Sequence, residues 1–448
     1  MKRNAAFFYF IGKRCGISPT AIATYLVTLL TISIGLGSHL CTMVWAASPN
    51  PVIQSDPSLK QAKPNMQLIN ANLQFGLKLF STIAKSNGDS NIFVSPTSIA
   101  IALSMLYNGA SGTTQQEMTA AMSLAGLDPK ILNEANQSLQ ETLKNPDPNV
   151  SVAIANSLWS REGFSFRHQF LRVARQFYDA QVTSLDFASP DAVGIINQWV
   201  DENTQGKITR IIERLDPNDV LFLINAVYFK GSWTNPFDTK LTAQQPFYLT
   251  NGTSKQHPLM SRQGKYRYYE NQQFQAVRLP YGKNQLSMYV FLPTKNSNLN
   301  SFLGQLNPQN WNQWISQFKE RKGLVKIPRF KLQYEIELKN ALVALGMKTM
   351  FDEAKADFAD LTSEKVKVDS VKHKTFVEVN EEGTEAAGVT SIGMQVTSAA
   401  PTTEPFTMVV DRPFLCAIRD DRTGTILFMG KIVNPGIGIG DWGLGIRE

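Results

Sequence analysis

Cysteine and histidine are scarce in this chain of 448 residues, and their scarcity removes several kinds of chemistry. The cysteines are Cys15, Cys41 and Cys416. The first two lie in an N-terminal segment that reads as an export signal, so one cysteine remains in the mature chain and no internal disulfide forms. Without a CxxC pair or a His-rich cluster, neither a metal nor a cofactor is expected. The four histidines are His39, His168, His257 and His373, and none stands in a catalytic context. No GxSxG occurs; Gly109-Ala110-Ser111-Gly112 is a near miss that turn chemistry explains. A hydrolase, and enzymatic activity in general, are therefore argued against.

Linkers are missing too. Nothing rich in Gly/Ser or Pro interrupts Asn72 to Pro435, which argues for one large domain, placed at 67–435. Ahead of it, Lys2, Arg3, Lys13 and Arg14 precede an uncharged, largely apolar stretch from Ala21 to Ala47. Residues 1–47 read as a signal peptide ending near Ala46 or as an uncleaved signal anchor. The expected location is outside the cytoplasm, secreted or periplasmic, with membrane contact only through an uncleaved anchor. Residues 48–66, rich in Pro and polar side chains, read as a flexible lead-in. Removing the four N-terminal cations from the formal +7 leaves +3, too little to suggest nucleic acid. The densest basic run, Lys319, Arg321, Lys322, Lys326, Arg329 and Lys331, reads as a solvated strand edge or turn before a polyanion site. Gly438, Gly440 and Gly443 satisfy GxGxxG, but no βαβ unit follows in this sequence, so 436–448 reads as a Gly-rich tail.

Charge is missing altogether from Ala386 to Thr403. An exposed loop is ordinarily kept open by polar and charged side chains. This segment alternates instead. Thr384, Ala386, Gly388, Thr390, Ile392, Met394 and Val396 fall on one face, and Glu385, Ala387, Val389, Ser391, Gly393 and Gln395 on the other. Period two with small or apolar residues on one side marks a strand with one packed face. Thr397-Ser398-Ala399-Ala400-Pro401 then reads as loop. One segment thus carries the pattern of both strand and loop.

Elsewhere helices dominate the first half. Ser95-Pro96 starts one: the hydroxyl caps free amides and Pro at the first position loses no hydrogen bond. Ile99, Leu103 and Leu106 share a face, and Gly109 ends it. Thr114-x-x-Glu117 reads as a capping box. A further helix spans Pro190 to Thr204, with Ile195, Ile196, Trp199 and Val200 apolar and Gly206 as its stop. Strand signals fall at 151–158, 220–229, 286–293, 324–331, 373–380, 406–410, 414–419 and 425–433. Several are continuous apolar runs, as in strands covered on both faces. Because helices and strands do not alternate regularly, the class is α+β.

Seven stretches in order carry a resemblance: NIFVSPTSIAIALSMLYNGASGTTQQEM, INQWVDENTQGKI, LINAVYFKGSW, LPYGKNQLSMYVFLP, LGMKTMFDEAKADFADLT, VEVNEEGTEAAG and DRPFLCAIRDDRTGTILFMGKIVNP. Together they resemble the serpins, the serine protease inhibitor family, in a bacterial-type exported member. That resemblance implies a metastable fold of three β-sheets and eight or nine helices with an exposed reactive loop. It implies a monomer that traps serine proteases covalently, as a suicide substrate whose cleaved loop inserts into the central sheet. The hinge would be Glu381, Glu382, Gly383, Thr384, Glu385, Ala386, Ala387 and Gly388. Counting from Glu381 sets the reactive bond at Thr397–Ser398, with Val396, Gln395 and Met394 as specificity neighbours. Ser95, Ser98, Asn225 and His373 resemble the polar "shutter", and Trp233 the "breach" where insertion begins. An ordinary buried histidine and a packing tryptophan are the plain alternatives. The loop offers no cation to a trypsin-like pocket, so elastase-like or subtilisin-like targets are expected. Position 384 is expected at the loop base, in water, until insertion turns it inward. A non-inhibitory member serving as carrier, chaperone or scaffold is the rival reading.

Overall fold

The computed structural model describes residues 65–144, 147–384 and 404–436. The export segment 1–47, nearly all of the lead-in, the tail beyond Gly436 and residues 385–403 lie outside the described residues. That last segment holds the reactive bond Thr397–Ser398, its neighbours Met394, Gln395 and Val396, and the hinge positions Glu385, Ala386, Ala387 and Gly388.

Nine α-helices occur among the described residues. Six precede residue 204: α1 (Met66–Ser86), α2 (Pro96–Tyr107), α3 (Gly112–Ala121), α4 (Pro129–Lys144), α5 (His168–Tyr178) and α6 (Ala192–Asn203). The shorter α7 (Leu299–Leu303), α8 (Pro308–Ser316) and α9 (Lys339–Ala344) follow. The strands are β1 (Ile92–Val94), β2 (Val150–Arg161), β3 (Gln181–Leu185), β4 (Leu221–Ser232), β5 (Ala243–Tyr248), β6 (Ser254–Glu270), β7 (Phe274–Tyr281) and β8 (Leu286–Pro293). Then come β9 (Lys319–Pro328), β10 (Phe330–Glu337), β11 (Ser370–Val379), β12 (Gly383–Thr384), β13 (Phe406–Val409), β14 (Phe414–Asp420) and β15 (Ile426–Ile432).

A six-stranded sheet runs β10-β11-β12-β4-β2-β3, and β11 also pairs directly with β4. The other strands join in one hydrogen-bonded network through β6. Its early part pairs β5 and β9, and its last residues pair β7. One leaf is therefore β5-β6-β9-β13 and the other β1-β15-β14-β8-β7-β6, which with the six-stranded sheet makes three.

The six-stranded sheet is covered on both faces, which accounts for the unbroken apolar run along β4. Leu221, Leu223, Val227 and Phe229 point to one side, where α2 packs. Ile224, Ala226 and Tyr228 point to the other, against Ile196 and Val200 of α6. Helix α2 begins as its sequence dictates: Ser95 caps it, its Oγ accepting from the Ser98 N–H at 3.3 Å. Its twelve residues are all buried, however, so no single apolar face exists.

Two local readings need correction. Ile195 of α6 is 44% exposed rather than packed, leaving Ile196 and Val200 as the buried stripe with Trp199 half-buried beside them. Thr114 and Glu117 form no capping box. Ser111 is the N-cap of α3, Thr114 Oγ1 accepts from the Asp357 N–H, and Glu117 accepts from the amides of Lys348 and Thr349. Their spacing serves a distant loop.

Candidate functional site

The parallel pair β4–β11 is the seam of the six-stranded sheet. It is zipped from Ser370↔Phe222 to Phe376↔Tyr228. Beyond that the strands part, and the two residues of β12 lie between them, antiparallel to both: Thr384 faces Val379 on one side and Gly231 on the other. Side chains opposite one another in register share a face. Val379, Val377, Thr375 and His373 of β11 therefore lie on the same side as Gly231, Phe229, Val227 and Asn225 of β4, together with Thr384.

Glycine at 383 is a steric requirement. A Cβ there would meet the Gly231 carbonyl oxygen at 2.1 Å and the Ser232 Cα at 2.6 Å, so only a hydrogen fits where the chain turns into the gap. Thr384 is fully buried, and its Oγ1 lies 2.7 Å from the Tyr281 hydroxyl. The expectation of a water-exposed threonine at the loop base is overturned: the hinge has already entered the sheet by this residue.

Around it the hinge end is clamped. Trp233 Nε1 donates to the Asn380 carbonyl at 2.9 Å and its backbone N–H to the Glu382 carbonyl at 2.8 Å. Its ring stacks on Tyr281, centroids 4.4 Å apart. Burial holds the Tyr281 hydroxyl far above its ordinary pKa, so it stays neutral. The Glu381 carboxylate, nearly buried, is gripped by Arg329 at 2.5 Å and by the Thr242 hydroxyl at 2.5 Å. Phe237 N–H donates to the Glu381 carbonyl, and the Asn380 side chain accepts from the amides of Glu382 and Gly383.

Midway along the seam lies a neutral cluster. His373 and Asn225 are register partners across β11 and β4, and Asn156 of β2 is the next partner outward. The Ser95 N–H donates to His373 Nε2 at 3.0 Å. The ring proton therefore sits on Nδ1 and donates to Asn225 Oδ1 at 2.6 Å. Asn225 Nδ2 donates to Ser98 Oγ at 2.5 Å and Asn156 Oδ1 at 2.6 Å. Burial lowers the His373 pKa to about 3, so the cluster is uncharged at neutral pH. His373 Nδ1–H···Oδ1 Asn225 crosses the seam directly, and the start of α2 bridges it as well, with the Ser95 N–H on His373 of β11 and Ser98 Oγ on Asn225 of β4.

Ser95, Ser98, Asn225 and His373 thus come together, with Asn156 added, while Trp233 and Glu381 to Thr384 gather at the hinge end. Tyr281, Thr242, Phe237 and Asn380 were not singled out from the sequence, and Arg329 was read only as part of a solvated basic run. Tyr281 sits inside the quoted LPYG stretch, and its place there was the available signal. Nothing in that run signalled the pairing of Arg329 with Glu381, because the partner is distant in the chain.

Comparison with known proteins identifies the family and the fold. The family model Serpin (serine protease inhibitor) matches residues 70–435. An uncharacterised serpin-like protein of Thermococcus kodakarensis is 34% identical over 379 residues, covering 84% of this chain and 87% of that protein. The human leukocyte elastase inhibitor is 33% identical over 382 residues, 82% of this chain and 100% of its own length. Among solved structures, the thermophilic serpin tengpin in its native state matches with a TM-score of 0.77 at 30% identity, covering 83% of this chain and 95% of tengpin. Human thyroxine-binding globulin, solved with thyroxine, matches with a TM-score of 0.77 at 27% identity, covering 83% of this chain and 100% of the globulin.

Proposed function

The chain belongs to the serpin family, and from that premise we propose that it is an exported, bacterial-type suicide-substrate inhibitor of serine proteases, acting through Thr397–Ser398 on elastase-like or subtilisin-like targets. The observation that carries this reading is the seam with its hinge already started: β12 lies between β4 and β11, antiparallel to both. A protease attacks the carbonyl of the scissile bond and forms an acyl-enzyme, freeing the upstream segment from its downstream tether. The freed segment continues the path of β12. One parallel ladder is replaced by two antiparallel ones, a net gain of a strand's backbone hydrogen bonds in the better geometry. About 14 residues at roughly 3.3 Å each carry the acylated protease about 46 Å. Its active site distorts before water releases it.

The antiparallel register also says what the loop meets. Six residues beyond Thr384, counted back along each neighbour, it reaches His373 on one side and Asn225 on the other. The residue arriving is Thr390, on the same face as Thr384. Its hydroxyl accepts from His373 Nδ1–H and donates to Asn225 Oδ1, bridging the bond that insertion breaks.

The test mixes the protein with elastase-like, subtilisin-like and trypsin-like proteases and looks for a complex that survives denaturant. Mass spectrometry of the released C-terminal peptide should find it starting at Ser398; a start before Val389 would sink the site. If every protease cleaves the loop without becoming trapped, the carrier or scaffold reading takes over. Export is checked by N-terminal sequencing: a new terminus near Ala46 supports a cleaved signal, and an intact Met1 in a membrane fraction supports the anchor.

A further inference from the structure

The loop has no charge between Ala386 and Thr403, so electrostatic guidance of a protease has to come from the body of the protein. The outer face of the β6–β9 ladder is suited to it. Lys265 lies opposite Lys322, Arg267 opposite Glu320, and Ser261 opposite Lys326. Opposed residues share a face, and the other face buries Tyr266, Tyr268 and Val325. Lys265, Arg267, Lys322 and Lys326 are thereby gathered on the outward side.

Local acids offset little of this charge. Glu320 pairs with Lys265 at 3.2 Å, both well exposed. Among the described residues the Lys326 ammonium reaches only the amide oxygen of Gln245, at 3.3 Å. The side chains of Lys322 and Arg267 are exposed and have no ion-pair or hydrogen-bond partner among the described residues. Next along the sheet, Arg278 and Arg419 share the single carboxylate of Asp421, which adds further positive charge.

Position decides what this face meets. The loop returns to the body through β13, which pairs with β9 from Phe406↔Gly323, one residue beyond Lys322. Ser398 is eight residues upstream of Phe406. Even fully extended, that tether is at most about 29 Å long. A protease of about 220 residues has a radius of gyration of about 17 Å, comparable with that tether, so one bound at Thr397–Ser398 comes within reach of the cations.

We propose that this face is a docking surface for an acidic patch beside the active site of the target protease, selecting anionic members of the elastase or subtilisin classes. The inference rests on the proposed function, since it needs the loop to be presented to a serine protease. Lys322 and Arg267 are its main contacts, and they act on the rate of encounter, not on insertion into the distant sheet.

The experiment measures the second-order rate at which the intact inhibitor is consumed by an anionic elastase and by a cationic one. It uses the full chain, the double variant Lys322→Glu/Arg267→Glu, and the control Lys130→Glu on the exposed start of α4. Consumption counts trapped and cleaved inhibitor together, so it reports on this face even if no covalent complex forms and the function proposed above fails. At about 0.02 M salt the double variant should slow the anionic elastase roughly tenfold and speed the cationic one; at about 0.3 M the differences should shrink. The trapped fraction should not change. Equal effects from Lys130→Glu, or none from the double variant, would overturn the inference. A charge effect that appears only after a sulfated polysaccharide is added would assign the face to a polyanion and overturn the protease contact.

Discussion

Midway along the β4–β11 seam the strands are joined by neutral side chains, while at the hinge end they are already parted and the gap is occupied. At the middle, a bond between His373 and Asn225 crosses the seam, the start of α2 spans it through Ser95 on His373 and Ser98 on Asn225, and Asn156 backs Asn225 from β2. At the hinge end, Trp233 and Tyr281 hold the incoming chain by ring and hydroxyl, and Arg329 fixes Glu381 just before the turn. A buried charge left unpaired costs several kcal/mol, whereas a neutral hydrogen bond that re-forms elsewhere costs little. The ion pair therefore stands where nothing has to part, and the neutral pair where parting is required. Thr384 on Tyr281 also displays, in the native state, the kind of hydroxyl contact that the proposed insertion assigns to Thr390 at the cluster.

The strongest way to break the comparison is Thr384→Arg. The fully buried threonine leaves no water for a guanidinium, and an unpaired cation there costs several kcal/mol. The variant should withdraw β12 from the gap and form essentially no denaturant-stable complex, the loop being cleaved as a substrate. Because the native site is itself buried, the hinge should also open before any protease arrives. Faster hydrogen exchange at Val379 and Gly231 would record it. Unchanged exchange there, with inhibition lost, would restore the loop-base picture that the structure overturns.

Next in size is Asn225→Ala. It leaves the His373 Nδ1–H, Ser98 Oγ and Asn156 Oδ1 short of a partner in a buried cluster, at a cost of about 3–5 kcal/mol in all. Thermal unfolding should show a clear loss of stability, and the same scan on Trp233→Phe, which removes one hydrogen bond and keeps the stack, should show a smaller one. Equal losses would mean that the two regions bear on stability alike.

How much of this was legible depends on the range of each interaction. The Ser95-Pro96 start, the apolar strand runs and the alternating parity of 384–396 are local, and the residues carry them directly. Strand β6 was missed because GlnHisProLeuMetSerArgGlnGlyLysTyrArg has no apolar run, and its alternation shows only once β9 lies beside it. Thr114 and Glu117 mimicked a capping box because a spacing cannot reveal that Thr349 and Asp357 are their partners. Thr384 is the most instructive case. Parity fixed which way its side chain points, but not that the native fold has already taken it in, since that depends on Tyr281 and Gly231 being where they are.

The neutral cluster should also respond to acid. His373 has its folded pKa lowered by burial to about 3, against an ordinary 6.5. The unfolded chain therefore binds the proton first. The stability from keeping this ring neutral is complete above about pH 6.5, falls as pH drops through the interval, and is gone below about pH 3. Near pH 4.5, two units below the unfolded pKa, the loss should be about 3 kcal/mol. Unfolding measured between pH 7 and 4.5 should be less pH-dependent in His373→Gln by that amount. The same slope in both proteins would place the acid sensitivity elsewhere.

The smallest effect is the most selective. Thr390→Val keeps the shape of the side chain and removes only the hydroxyl. If the register of β12 continues, the substitution matters only when the loop has reached His373 and Asn225, because only then is a bridge needed between the parted groups. The intact protein should unfold as the unsubstituted one does. The loop-cleaved, inserted form should lose about 1–2 kcal/mol, the cost of leaving a buried donor and acceptor unjoined. Slower passage past that point gives water more time at the acyl bond, so a larger share of protease should escape by hydrolysis. Ser391→Ala, one position along and on the opposite face, should leave the trapped share unchanged. If Ser391→Ala is the more damaging of the two, the inserting strand is out of step with Thr384 by one residue, and the hydroxyl bridge at the cluster does not exist.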